Sequence, residues 1–194
     1  MNHIKILVSL FILSFFSCSA QEKTNLQIYS ALVDSSASEL TSFLPDSVKK
    51  ISIEMNTGTS FQVFNSEIIS FLTNKEYTLS PNAPFRLQYY IKNASVNYGD
   101  IYRDGILGDY FVPRLITLSG NFNLYGKSFI TQDFEFSKKD TVNLDSVRTI
   151  ENPAYPFTQG KLPPEPFFSG LLEPIVAVGT TALAVILFFT IRSK

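Results

Sequence analysis

Ile175 to Ile191 is an apolar run without a charge, closed by Arg192, Ser193 and Lys194. As a helix, Pro174 to Ile191 is about 27 Å long, close to the thickness of a hydrocarbon core. The run is apolar all round and lacks the polar stripe of a helix that covers a core. It reads as a transmembrane helix over 173–191. Gly179, Thr180 and Thr181 are tolerated in such helices. Arg192 and Lys194 make residues 192–194 a short cytoplasmic tail. The alternative is a buried C-terminal helix of a globular core.

A second apolar stretch, Ile4 to Phe16, opens the chain. Lys5 precedes most of it and small residues follow, the order of a signal peptide over residues 1–20. Two cleavages stay open. One follows Ala20. The other precedes Cys18, which would then carry a lipid as the first residue. Either places the bulk of the chain on the extracytoplasmic, periplasmic side, so the expected localisation is a single-pass cell-membrane protein.

Composition removes several chemistries. The only cysteine is Cys18 and the only histidine is His3. The segment between the two apolar ends therefore offers neither Ser-His-Asp nor Cys-His catalysis. Nor does it offer zinc, copper or haem ligands of the usual kind. No cofactor or metal is expected. A net charge of -1 gives no basic field for nucleic acid. Phe (18) and Tyr (9) are plentiful while Trp is absent, which suits strands and their turns.

Along the chain, apolar residues from Leu26 to Leu44 have helical spacing, interrupted at Asp34-Ser35-Ser36 and stopped by Pro45. Ile51, Ile53 and Met55 alternate on one face of a short strand. Ser60 could cap a helix running to Asn74 with Phe61, Phe64, Ile68, Phe71 and Leu72 on one face. Three longer strands follow. The first, 85–98, shifts phase near Lys92-Asn93, where a bulge is expected. The second covers 110–124, with either Leu115 or Ile116 facing inward. The third covers 128–136 after a turn at Tyr125-Gly126-Lys127. Residues 141–150 could add an edge piece. Residues 149–168 hold five prolines and no period, and read as an extended spacer. The domain is expected over 26–148.

This order predicts an α+β fold: a mainly antiparallel sheet with two helices on one face, plus the C-terminal transmembrane helix. A short strand, an amphipathic helix ending near Lys75-Glu76-Tyr77-Thr78-Leu79, and long alternating strands resemble small bacterial envelope-assembly domains. The comparison is with the lipopolysaccharide-assembly lipoprotein and the curli-secretion lipoprotein. The resemblance covers roughly residues 49–137, rests on element order, and transfers no functional residue.

The chemical motifs fall short. Gly120 to Ser128 approximates a phosphate-binding loop, but it has five residues between the glycines where four are needed, and it lies in an alternating hairpin. No nucleotide is expected there. Ser47-Val48-Lys49-Lys50 matches a Ser-x-x-Lys pattern without its companion motifs. Asp100, Asp104 and Asp109 share a glycine-rich loop that could offer oxygen ligands, although Asp-Gly pairs serve turns on their own. Asp133 and Glu135 share one strand face, most simply a solvated one. Asn93-Ala94-Ser95 is a glycosylation sequon.

The loop over 98–111 is the candidate binding element. It is long for a hairpin and combines Tyr102, Arg103, Ile106, Leu107 and Tyr110, which is interface composition. The competing reading tucks these side chains back onto the core. The sequence thus implies a membrane-anchored, non-enzymatic extracytoplasmic binding or assembly module of the cell envelope. Its expected contacts are the membrane, through the C-terminal helix, and an envelope protein. A passive structural or adhesion ectodomain, or a His-independent hydrolase, are the alternatives.

Overall fold

The computed structural model describes residues 22–105, 108–164 and 172–192. The expected signal peptide, with Cys18, lies outside them. Helix α1, Asn25–Ser42, opens the described chain. Thr24 caps it: its hydroxyl accepts from the Gln27 N–H, and the Gln27 side chain accepts from the Thr24 N–H. That reciprocal box satisfies two donors that a helix start would leave bare. The expected interruption at Asp34-Ser35-Ser36 does not occur. Ser35 and Ser36 hydroxyls bond back to the carbonyls of Ala31 and Val33, which absorbs their polarity within the helix.

Strand β1, Lys50–Asn56, leads through a short 3-10 turn to helix α2, Val63–Asn74. Ser60 does not cap α2; it lies within that turn. Phe64, Ile68 and Leu72 form the buried stripe of α2, one residue per turn as helical spacing requires. Then come β2 (Thr78–Leu79), β3 (Phe85–Tyr98), β4 (Tyr102–Arg103), β5 (Tyr110–Tyr125) and β6 (Phe129–Asn143). A single-turn helix α3 (Val147–Ile150), strand β7 (Gly160–Lys161) and helix α4 (Leu172–Arg192) complete the order.

The sheet is mixed. β1 pairs parallel with β2 and β3, and β7 pairs parallel with β3. The two longest ladders, β3 with β5 and β5 with β6, are antiparallel. A parallel β1–β3 pair needs a crossover, which α2 supplies. The bulge expected near Lys92-Asn93 is present as a register shift between Ile91 and Asn93. In β5 the inward set is Val112, Arg114, Ile116, Leu118, Gly120, Phe122 and Leu124, which settles the choice in favour of Ile116. Gly120 is demanded by close approach, because a Cβ there would sit 2.0 Å from the Tyr90 carbonyl oxygen. The inward strand residues join Ile28, Tyr29, Leu32, Val33 and Leu40 of α1 and the α2 stripe in one core. The residues that β5 and β6 turn to the opposite face are half-buried or exposed.

The segment expected as a spacer packs on the domain over its described part. Phe157 lies 5.4 Å from Tyr29, 5.2 Å from Phe61 and 5.4 Å from Phe64, centroid to centroid. Gly160 and Lys161 pair with Val96 and Asn97. Prolines end regular structure but do not prevent docking, and the aromatic residues between them carry the apolar area that binds this strap.

The transmembrane reading of 173–191 is corrected. Among the described residues, no helix is long and apolar enough to cross a membrane. Within α4, Gly179, Thr180 and Thr181 set small and hydroxyl-bearing residues among the large apolar groups. Three expectations fall with this one: the transmembrane part of the fold class, membrane attachment through the C-terminal helix, and single-pass cell-membrane localisation. The described side chains of α4 are exposed, and its threonine hydroxyls bond back to carbonyls within the helix.

Candidate functional site

The hairpin over 98–111 stands at the end of the sheet where β3 finishes and β5 begins. Its base is closed by the Gly99 N–H donating to the Pro113 carbonyl at 2.8 Å. Farther out, the Asp104 N–H donates to the Asp109 carbonyl at 3.0 Å, and β4 pairs with the start of β5. Arg103 works inside the hairpin. Its Nε donates to the Gly108 carbonyl at 2.8 Å, and its guanidinium lies 4.9 Å from the Tyr110 ring centroid. Both residues are half-buried, so Arg103 clasps the hairpin and Tyr110 supports the clasp. Tyr102 is 48% exposed and stacks on Phe111. Ile101 turns inward with Val112, Val142, Val147 and Ile150. Ile106 and Leu107 lie outside the described residues.

The other sequence candidates disperse. Among the described residues no three acidic, histidine or cysteine side chains gather in a metal-holding group, so Asp100, Asp104 and Asp109 do not converge. Asp133 and Glu135 are exposed on β6, and Asp133 accepts from Lys92 Nζ at 2.6 Å. Gly120 to Ser128 lies in the β5–β6 hairpin, and Asn93 sits exposed at the bulge.

Two features escaped the sequence. The first is a buried polar cluster at the same end of the sheet. Arg114 is 1% exposed. Its Nε and Nη2 meet the two oxygens of Asp140 at 2.8 and 2.6 Å, the bidentate geometry that suits a guanidinium. Its Nη1 donates to the Lys23 carbonyl and to Asn25 Oδ1. Asn25 Nδ2 donates onward to the Thr158 carbonyl at 2.6 Å. The Tyr98 hydroxyl donates to Glu151, which also accepts from the Gly160 N–H. Burial first, with the Glu151 charge beside it, pushes the Tyr98 hydroxyl up to about 12. It therefore stays a donor throughout the physiological range. This cluster ties the start of α1, the strands and the C-terminal strap together. It is a structural lock, and no buried side-chain nitrogen or oxygen in it lacks a hydrogen-bond partner.

The second is an open groove of about 570 Å³ between α1 and α2. Ser30, Asp34, Glu67 and Phe71 line it. Ser30 donates to one oxygen of Glu67 at 2.8 Å, while the other Glu67 oxygen is buried with no hydrogen-bond partner. Burial, with the Asp34 charge as a smaller cause, holds the Glu67 carboxyl above its ordinary range despite the Ser30 bond. Serines at helical positions give no periodic signal, so the groove leaves no trace in the sequence pattern.

No family model matches this chain, and no curated protein sequence matches it. Among solved structures it is similar to a minor lipoprotein from Acinetobacter baumannii, at 18% identity and a TM-score of 0.34, over 52% of this chain and 70% of that one. It is also similar to a neuraminyllactose-binding hemagglutinin homolog from Helicobacter pylori, at 14% identity and a TM-score of 0.33, over 58% of this chain and 79% of that one. At these scores neither likeness bears on function.

Proposed function

We propose that the chain is a non-enzymatic, extracytoplasmic binding or assembly module of the cell envelope that docks on an envelope protein through the hairpin over 98–111. The observation that supports this is the braced hairpin. Its backbone is closed at the base and again farther out, and Arg103 locks its interior. Tyr102 nevertheless stays exposed. A loop already ordered loses little freedom on binding, so an aromatic on it contributes more of its contact energy. Ile106 and Leu107 add apolar side chains to the same segment.

Attachment is through the N-terminal end. Cys18 stands within ~14 Å of chain from Glu22. Glu22 is fixed by accepting from the Asn143 N–H at 2.8 Å and from the Ser146 hydroxyl. A lipid on Cys18 would hold the domain by the end that bears the hairpin. The partner is then a protein seated in the same membrane.

Replacing Tyr102, Ile106 and Leu107 together by Ser tests the docking claim. A photo-crosslinker at Asp104 in intact cells should capture one partner in the parent and lose it, by at least about tenfold, in the triple variant, with an unchanged thermal midpoint. Unfolding of the triple variant would make these side chains core. Undiminished capture would put the interface elsewhere.

A further inference from the structure

We infer that β6 is a self-pairing edge, through which two copies of this chain join into one continuous sheet by antiparallel β6–β6 pairing about a two-fold axis at Ser137. Among the described residues, β6 pairs with β5 alone, so no strand covers its outer edge along 129–142, while at Asn143 the N–H donates to Glu22. The strand contains neither proline nor glycine. A long free edge of this kind presents unpaired N–H and C=O groups to any strand that fits.

The charges on β6 select the partner. Asp133 and Glu135 lie in its first half, Lys138 and Lys139 in its second. Asp133 is matched by Lys92, and Asp140 by Arg114. Glu135 and Lys139 are exposed, share the face of the sheet opposite the core, and are in no ion pair among the described residues. Antiparallel pairing about Ser137 places Glu135 of each copy directly opposite Lys139 of the other, twice over. Opposite charges in that position attract across strands. Three other arrangements oppose like charges. A parallel in-register partner sets Glu135 against Glu135 and Lys139 against Lys139. An antiparallel partner centred on Glu135 or on Lys139 sets that residue against its own copy. The pattern that would guard the edge against a foreign strand is thus complementary to itself reversed, and a two-fold contact requires that self-complementarity.

The full chain, in a mild detergent that covers the apolar side chains of α4, is studied by sedimentation across concentration. A reversible dimer is expected. Glu135→Lys and Lys139→Glu should each weaken it by about tenfold, because each turns two attractive cross-strand pairs into repulsive ones. The double exchange should restore it. In a Cys18→Ser background, Ser137→Cys should form a disulfide-linked dimer on mild oxidation, while Thr131→Cys should not. A monomer at all concentrations overturns the inference. So does a dimer indifferent to both reversals, or a Ser137→Cys chain that does not crosslink.

Discussion

At the scale of single residues, the interior divides its polar groups unequally. Arg114 has a partner for each group it offers, and the low dielectric around it makes those partners worth keeping. A strict count along β5 puts position 114 on the inward parity with 112, 116 and 118, so its burial was legible in register. A charged residue at that place reads as a break only when type is weighed above position. Glu67 is the opposite case: one of its oxygens is buried without a partner. Its carboxyl is held above the ordinary value of 4.5 chiefly by burial. The folded chain therefore binds this proton more tightly than the unfolded chain does. The resulting stabilisation is fully present below the unfolded value and is lost as pH rises through the folded one. Glu67→Gln removes the charge and keeps the acceptor for Ser30. At pH 7 it should raise unfolding free energy by up to about 1 kcal/mol, allowing for solvent screening. At pH 4 the variant and parent should converge. Denaturant midpoints at the two pH values check this, and a destabilised variant at pH 7 would show that the charge is favourable where it stands.

At the scale of elements, the strap over 151–161 and helix α4 exchange the roles their composition suggests. The proline-rich strap belongs to the domain, and the apolar helix exposes its described side chains. Phe157→Ala should cost about 3 kcal/mol, since the ring contacts Tyr29, Phe61 and Phe64 and would leave a gap among them. A chain ending at residue 164 should unfold cooperatively with the parent midpoint. Thermal melts of both decide the matter. A neutral Phe157→Ala, or a truncated chain that loses its transition, would reverse the assignment. The amphipathic stripe of α2, the alternation of β3 and its bulge were readable because each obeys one period over many residues. The strap was not, because irregular chain docks through scattered aromatics that leave no period. The continuity of β6 was hidden differently: from Ser137 to Thr141 its residues are polar, so a strand held by backbone pairing to β5 looked like a loop between two pieces.

At the scale of the whole molecule, the domain brings its two described ends together. Lys23 reaches Arg114 on β5, and Lys161 pairs with Asn97 on β3, next to Tyr98. Tyr98 and Arg114 are themselves paired. Both described ends of the domain therefore emerge beside the base of the hairpin over 98–111. The turn at Gly126-Lys127-Ser128 lies at the far end of the long β5–β6 ladder, roughly 40 Å away at the usual rise per residue. No local pattern in the sequence encodes this proximity, because it follows from β7 running parallel to β3 and from the Arg114 cluster drawing α1 to the same place. It fixes an orientation for a chain held by a lipid on Cys18. The hairpin faces the supporting surface and the 126–128 turn faces away from it. An environment-sensitive fluorophore attached through a Tyr102→Cys substitution, in the acylated chain on phospholipid vesicles, should shift to shorter wavelength and resist an aqueous quencher. The same probe placed by Lys127→Cys should report water and be quenched freely. Equal quenching at the two positions would mean that the domain does not stand on its N-terminal end, and that a partner reaching the hairpin need not share its membrane.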